Sequence, residues 1–453
     1  MFKRNNLASL FTDANIPKLF VVLGLFLGTM LSLMMPLFNE PDGQYHLAVT
    51  GRVINSVIDT SRYGEYNVSS GMYGQEESYL NRTHIEKYYF NKAKFIEFSK
   101  VPRTIKFTKT NFVYWGHVVP AIGMLIGKLV YPSMGIMITF ARFFSTLFFV
   151  ICQYFILKRL KMGRLLFFAV SLSPMVMNQV ASLSYDMTTF LIMSYFFMLV
   201  INCVVKESIS KRDLVEFGIA TILIILATKM NSIIFLLLVP AILYFYNIEI
   251  PQLNRVRKKL RFLKILIFKN KKILYISGII SIFVMGAVSY VVTLPMGGLK
   301  RVIFRFVRQL IFRDDDRIVD YAYSWFTAPY LGFNHTVMWQ YLLWILVIFF
   351  ILLTERKYRI KTGITYLAIL LFVLNIIGVY FVQLSYGGSN AAILGVQGRY
   401  FTPYFLVLAL TLPNERFSSA LVSNWNWVPV LTSFTIVVTN ILLIFGTLYG
   451  LMN

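Results

Sequence analysis

Runs of about twenty predominantly apolar residues recur along this chain, and no other feature limits its fold so strongly. A helix of that length crosses the hydrocarbon core of a bilayer. In hydrocarbon, a spanning segment must satisfy its backbone polar groups internally. The runs fall at 17–38, 134–157, 164–181, 187–205, 214–228, 231–247, 273–294, 339–354, 362–384, 401–414 and 427–450. Only 14% of the residues are charged, against roughly a quarter in a soluble domain. The expected fold is therefore all-α: one polytopic transmembrane helix bundle over 1–453, with eleven spanning helices. The first run follows Lys3, Arg4 and Lys18, is long, and lacks a small-residue cleavage site. It reads as an uncleaved first helix. The two cysteines, Cys152 and Cys203, lie inside apolar runs and give no disulfide framework or zinc pattern.

The net charge of +24 does not point to nucleic acid, because the basic residues cluster between apolar runs. That placement suits the lipid bilayer, with its anionic headgroups, and it sets topology. The clusters begin at Lys158, Lys206, Arg255 and Arg356. Putting all four in the cytoplasm gives a cytoplasmic N-terminus, provided 112–131 does not span. That segment carries Gly116, Pro120, Gly123, Gly127 and Lys128 and reads as re-entrant or surface-lying. Two extracytoplasmic segments result, 39–133 and 295–338. Within the second, Arg301, Arg305 and Arg308 share one face of an amphipathic helix over 298–313.

This orientation gathers the unusual polar residues on the outer side. Glu40, Asp42 and His46 follow the first run. Asp42 and His46 are four residues apart, one helical turn, and a carboxylate beside a histidine suits a general base or part of a metal site. Helix capping is the plainer explanation of Asp42 after Pro41. Tyr185 and Asp186 end a polar turn that begins at Ser173, and capping alone also accounts for Asp186. Lys229 lies between two short runs, where it is an interfacial residue or a phosphate partner. Arg399 follows Gln397 and Gly398 at the start of an apolar run. A helix N-terminus favours anions, so an anion between that end and the guanidinium would remove the conflict. Arg142 lies inside the second run, facing the interior or snorkelling. Asn334 and His335, in an aromatic-rich stretch, could shape a sugar site or anchor at the interface.

These blocks resemble a family of bacterial multi-pass membrane proteins catalogued as domain of unknown function 2142. The resemblance rests on Pro41 and Asp42 with His46, on Pro174 to Asp186, on Lys229, on Leu331, Gly332 and Thr336, and on Gln397 to Pro403. Gly43 stands where the family carries an acid, so Glu40 would have to take its place. The layout is similar to the GT-C superfamily of membrane glycosyltransferases, whose donors are polyprenyl-phosphate sugars. The resemblance implies a GT-C-like bundle in a bacterial cytoplasmic membrane, acting on its outer face. It implies a polyprenyl-phosphate-sugar donor and a cell-envelope glycan acceptor, with Asp42 as base, His46 orienting it, and Lys229 and Arg399 on the lipid phosphate. Asp42, Glu40 and His46 are few and contiguous. They are compatible with a divalent metal (Mg or Mn) but do not require one, and no other cofactor is read from the chain. A lipid-linked glycan flippase, a polysaccharide polymerase and a non-catalytic assembly protein are the alternatives.

Overall fold

In a computed structural model the chain is mostly helical. The structure describes residues 12–38, 40–59, 85–96, 112–248, 293–311, 324–328, 338–354, 360–383, 393, 395–411 and 427–452, with individual residues between 275 and 291. The helices are α1 (Ile16–Met34), α2 (Gly43–Val53), α3 (Phe112–Gly116), α4 (Val118–Val130), α5 (Met134–Arg159), α6 (Arg164–Ser171), α7 (Pro174–Val180) and α8 (Asp186–Lys206). They continue with α9 (Lys211–Ala227), α10 (Leu238–Phe245), α11 (Leu299–Ile311), α12 (Met338–Thr354), α13 (Thr362–Gln383) and α14 (Val428–Met452).

Among the described residues, five helices are long and apolar enough to cross a membrane: α1, α5, α8, α13 and most of α14. They match five of the eleven expected runs. The others differ for local reasons. The run 164–181 breaks at Leu172 and Ser173, because Pro174 cannot continue a helix and instead starts α7 under a Ser173 cap. The run 231–247 divides into a 3-10 segment, Met230–Leu237, and α10. Thr402–Thr411 is a ten-residue 3-10 helix. Both α9 and α12 are apolar but 17 residues long. Only individual residues of 273–294 are described. The segment 112–131 forms α3 and α4, and α4 at 13 residues is too short to span alone.

Helix α8 lies at the centre. In its most apolar window 83% of the residues are buried, against 33–50% in the other four long helices. Its neighbours include α5, α9 and the Thr402–Thr411 segment. Phe20, Phe149 and Phe190 join α1, α5 and α8, and Phe235 stacks on Tyr404 at 4.9 Å. Some polar side chains inside this core are paired with one another. Gln153 donates to Ser171 at 2.9 Å and accepts from Ser194 at 2.9 Å. Such pairs join apolar helices where hydrophobic contrast is absent.

Helix α4 turns back antiparallel along α5. At Gly123 a Cβ would sit 2.7 Å from the Phe140 carbonyl oxygen, and at Gly127 one would sit 2.9 Å from Met137 Cα. Two glycines four apart thus let the backbones touch, a small-residue contact common in membrane bundles. A short antiparallel pair, β1 (Val57–Ile58) with β2 (Phe95–Ile96), lies near this hairpin, and Ala93 donates to the Pro132 carbonyl at 2.7 Å. The expected amphipathic helix is α11, with Leu299, Ile303, Phe304 and Val307 exposed along one face and Arg305 buried. Arg313 lies outside the described residues.

The basic residues around Lys158 and Lys206 gather at one end of α8 and α9. There Arg159 and Arg212 pair with Glu216 at 2.5 and 2.9 Å, and Lys206 pairs with Asp213 at 3.6 Å. Of the polar residues singled out above, Asp42, Asp186, Lys229 and Arg399 lie together at the opposite end.

Gly123→Leu drives a side chain into the α5 backbone, and overpacking of this kind costs about 1–3 kcal/mol. The expected outcome is a lower Tm in detergent than for Ile122→Leu, since Ile122 is 43% exposed. Equal melting of the two variants would show that the α4–α5 contact is not tight.

Candidate functional site

At that opposite end the backbone turns sharply after α1. Phe38 and Asp42 both take left-handed conformations, with φ of 62° and 59°. Between them the turn is so tight that a Cβ at position 43 would lie 2.8 Å from Phe38 Cα. Only glycine fits there, so an acid after Asp42 would need a different turn. Glu40, the other acid of this block, is directed at Arg142. It is buried, 3.1 Å from the Arg142 guanidinium, and also accepts from Leu183 N at 3.4 Å. Arg142 completes the lock by donating to the carbonyls of Met35 and Pro36 at 2.9 and 2.8 Å. It faces the protein interior and does not snorkel.

The turn delivers Asp42 to Arg399. Arg399 Nη2 donates to Asp42 Oδ2 at 2.9 Å, and Nη1 donates to Asp186 Oδ2 at 3.1 Å. Lys229 Nζ meets Asp186 Oδ1 at 2.5 Å. Four ionisable groups from four distant segments thus form one chain: Lys229, Asp186, Arg399, Asp42. The Asp42 side chain is 48% exposed, whereas those of Asp186 and Arg399 are 6% and 3% exposed. Capping does not account for either carboxylate. Neither makes a side-chain cap, and the Asp186 amide is held by Ser184 Oγ at 3.2 Å. The anion expected beside Arg399 is supplied by the chain itself.

Aromatic rings line the network. Lys229 Nζ sits 4.1 Å from the Tyr400 ring centroid and 5.3 Å from that of Tyr185, within cation–π range. The other face of the cluster holds His46 and His117, with Nδ1 of the first 2.8 Å from Nε2 of the second. Both rings meet Tyr185 edge-on at 5.4 Å. The segment carrying Arg399 is fixed by Gly398 N donating to Ser324 Oγ at 2.9 Å and Thr402 Oγ1 donating to the Trp325 carbonyl at 2.8 Å. Gln397 Oε1 is buried nearby without a partner, as is Arg399 Nε. His335 lies outside the described residues. Among the described residues, no group of three or more His, Cys, Asp or Glu is placed to hold a metal ion.

An apolar cavity of about 600 Å³ lies between α5, α8 and α9. Phe148, Cys152 and Phe155 of α5, Leu191 and Ile192 of α8, and Leu223 of α9 form its walls. From Phe148 to Arg159 along α5 it runs roughly 16 Å at 1.5 Å per residue. Its upper end holds Trp115, Thr188 and Ala227. Thr188 there donates to the Gly116 carbonyl at 2.9 Å, Gly116 packs on Tyr185, and Ala227 is two residues from Lys229. At the lower end Arg159 and Tyr195 both bind Glu216, leaving the cavity wall apolar. Sequence reasoning had no means of finding this cavity, because its walls come from separate apolar runs.

Burial sets the electrostatics. It lowers the Lys229 ammonium to about 8, with the Arg399 charge adding to the effect and Asp186 opposing it. For Arg399 burial opposes the charge, but Tyr400, Asp186 and Asp42 outweigh it and raise its pKa. Burial lowers His117 to about 4 despite its bond to the Val113 carbonyl and the nearby Asp186. His46 is lowered well below 6.5 by burial, then by His117, Arg399 and Lys229. Sequence reasoning did not single out His117 as a site residue. Its signal was faint: one of four histidines, 71 residues from His46.

Residues 25–409 match the family model described as predicted membrane protein (DUF2142), and the chain belongs to that family. No curated protein and no solved structure matches the chain.

Two outcomes follow for stability. Asp186→Asn leaves two buried cations without their shared partner and should cost about 3–5 kcal/mol, while Asp42→Asn, at a half-exposed position, should cost under about 1 kcal/mol. Thermal melts in detergent check the order, and a larger loss for Asp42→Asn would contradict it. A second outcome concerns pH. The folded His117 pKa of about 4 lies below the unfolded value near 6.5. The unfolded chain therefore binds the proton first, and stability present above pH 6.5 is lost as pH falls toward 4. His46 acts in the same direction. His117→Gln should reduce, without abolishing, the fall in Tm between pH 7 and pH 5.

Proposed function

We propose that this chain is a membrane glycosyltransferase of GT-C type. It moves a sugar from a polyprenyl-phosphate donor to a cell-envelope glycan on the outer face of a bacterial cytoplasmic membrane. One observation carries the reading: two buried cations, Lys229 and Arg399, share Asp186 at one end of the bundle, and an apolar cavity between α5, α8 and α9 is lined by Thr188 and Ala227, each two residues along the chain from a member of that cluster. Two of its walls belong to helices long enough to span a bilayer, so lipid chains are the molecules at hand. A single long chain with an anionic head fits an apolar cavity that lies near two buried cations. A soluble sugar nucleotide does not.

The donors for a phosphate are present. Arg399 Nε is buried without a partner, and Lys229 carries three N–H groups on one nitrogen. The acceptor hydroxyl oxygen attacks the anomeric carbon, its proton passes to the Asp42 carboxylate, and the bond from that carbon to the phosphate oxygen breaks. The phosphate leaves with the bonding electrons, stabilised by Lys229 and Arg399. Displacement in one step inverts the anomeric carbon. Asp42 suits the base because it is the member of the network open to solvent. Asp186 holds the two cations apart from each other's repulsion, and Tyr185 and Tyr400 flank Lys229. Glu40 and Arg142 hold the turn that presents Asp42, and Gln397 offers a free acceptor to a sugar hydroxyl.

The test is transfer from radiolabelled polyprenyl-phosphate hexoses to an envelope glycan extract by purified protein in liposomes. Asp42→Asn should lower kcat by roughly 10²–10⁴-fold, the usual weight of a general base, with the Tm nearly unchanged. Leu191→Trp should block the cavity and raise KM for the lipid donor. Scrambling of lipid-linked glycan without any transfer would replace the enzyme reading with a flippase. Donor binding also carries a pH signature. Lys229 loses its proton as pH rises through about 8, so polyprenyl phosphate should bind more weakly at pH 9.5 than at pH 7. Lys229→Arg should keep its affinity at the higher pH.

A further inference from the structure

We infer that His46 is a ligand-binding acceptor whose Nε2 lone pair receives a hydrogen bond from a hydroxyl of the bound sugar, and that His117 is the positioning residue that fixes its tautomer. This rests on the transferase reading for the identity of the ligand; the tautomer itself does not.

The argument starts from a backbone carbonyl, which can only accept. His117 Nδ1 contacts the Val113 carbonyl, so that nitrogen carries hydrogen. A neutral imidazole has one N–H, so His117 Nε2 is then an acceptor. Its partner at 2.8 Å, His46 Nδ1, must donate. The single N–H of His46 is thereby assigned, and Nε2 is left as a bare lone pair. That atom is buried and has no hydrogen-bond partner. Buried polar atoms are nearly always paired, so an exception in a fixed position calls for an occupant.

The surroundings indicate which occupant. The groups facing His46 are the His117, Tyr185 and Tyr45 rings, the cations Lys229 and Arg399, and Asp42 one turn earlier, just before its helix. A proton added to His46 would place an imidazolium in a dry site beside two cations. The ring therefore accepts a hydrogen bond without taking the proton. A cation as occupant is excluded by the same repulsion. A neutral hydroxyl donor fits, and sugars offer several. This separates two acceptors one turn apart: Asp42, just before α2 and open to solvent, removes a proton, and His46, on α2, buried and neutral, holds a hydroxyl in place.

The experiment uses the full chain in nanodiscs with ¹⁵N-labelled histidine, its four histidines assigned by single substitutions. Two-bond nitrogen–proton correlations should show His46 protonated at Nδ1 and bare at Nε2 from pH 5.5 to 8. In His117→Ala the proton should redistribute to Nε2. Wild-type His46 protonated at Nε2, or titrating with a pKa near 6.5, overturns the assignment. Adding polyprenyl-phosphate glucose should then shift the Nε2 resonance, whereas polyprenyl phosphate without sugar should not. The sugar lipid should bind His46→Phe about tenfold more weakly, and His46→Gln, which keeps an acceptor oxygen, within about threefold of wild type. Binding of the sugar lipid with no change at Nε2 overturns the hydroxyl contact alone. Failure of both lipids to bind overturns it together with the transferase reading, while the tautomer result is decided independently.

Discussion

Burying ions inside an apolar bundle is the constraint around which one end of this molecule is organised. Arg399 and Lys229 can lie deep among tyrosines only because Asp186 binds both. A buried pair is not itself a large source of stability, but removing one member is costly. The local backbone follows from that need. Asp42 adopts a left-handed conformation to reach Arg399, Gly43 makes room for the turn, and Gly398 lies against Ser324 where a Cβ would be 2.3 Å from its Oγ. The second buried pair, Arg142 with Glu40, pins the same turn from below by holding the end of α1. Both pairs would be hard to justify as stability devices in a membrane protein. Their expense is understandable if the first pair faces a ligand and the second fixes the turn that presents Asp42.

The membrane character was legible because it depends on run length and composition alone. The five longest helices, including α8, lie within a few residues of the expected boundaries. What the runs concealed were interruptions set by single residues, as at Pro174, and 3-10 segments such as Thr402–Thr411 that hydropathy cannot distinguish from α-helix. The polar cluster was legible as a set, since counting basic loops placed Asp42, Asp186, Lys229 and Arg399 at one end of the bundle. Their pairing was not. Asp186 and Arg399 are 213 residues apart and Asp42 and Arg399 are 357 apart, separations no local pattern spans. The electrostatic conflict at Arg399 suggested a bound anion; a single sequence could not say that two carboxylates of the chain would lie against the guanidinium. The role of Glu40 was hidden for the same reason: its partner Arg142 lies in another helix.

A network that is already neutral raises the question of how it could also hold a phosphate. Lys229, Asp186, Arg399 and Asp42 carry two charges of each sign, so an added dianion would be repelled by the carboxylates. In the proposed transfer this difficulty becomes a feature of the reaction. The donor arrives as a phosphodiester with one negative charge and departs as a monoester approaching two. Over the same step Asp42 goes from carboxylate to acid and gives up one negative charge. The total charge of the site is conserved while its centre moves from Asp42 toward the phosphate. Arg399, which donates to Asp42 through Nη2 and has Nε free, is placed to follow that shift without leaving its position. Asp186 keeps its charge throughout and holds both cations in register. Preorganised groups of this kind stabilise charge where it develops without reorganising as the reaction proceeds. On this view the half-exposed carboxylate and the buried one have different tasks: Asp42 exchanges its charge with the substrate, and Asp186 fixes the cations between which the exchange occurs.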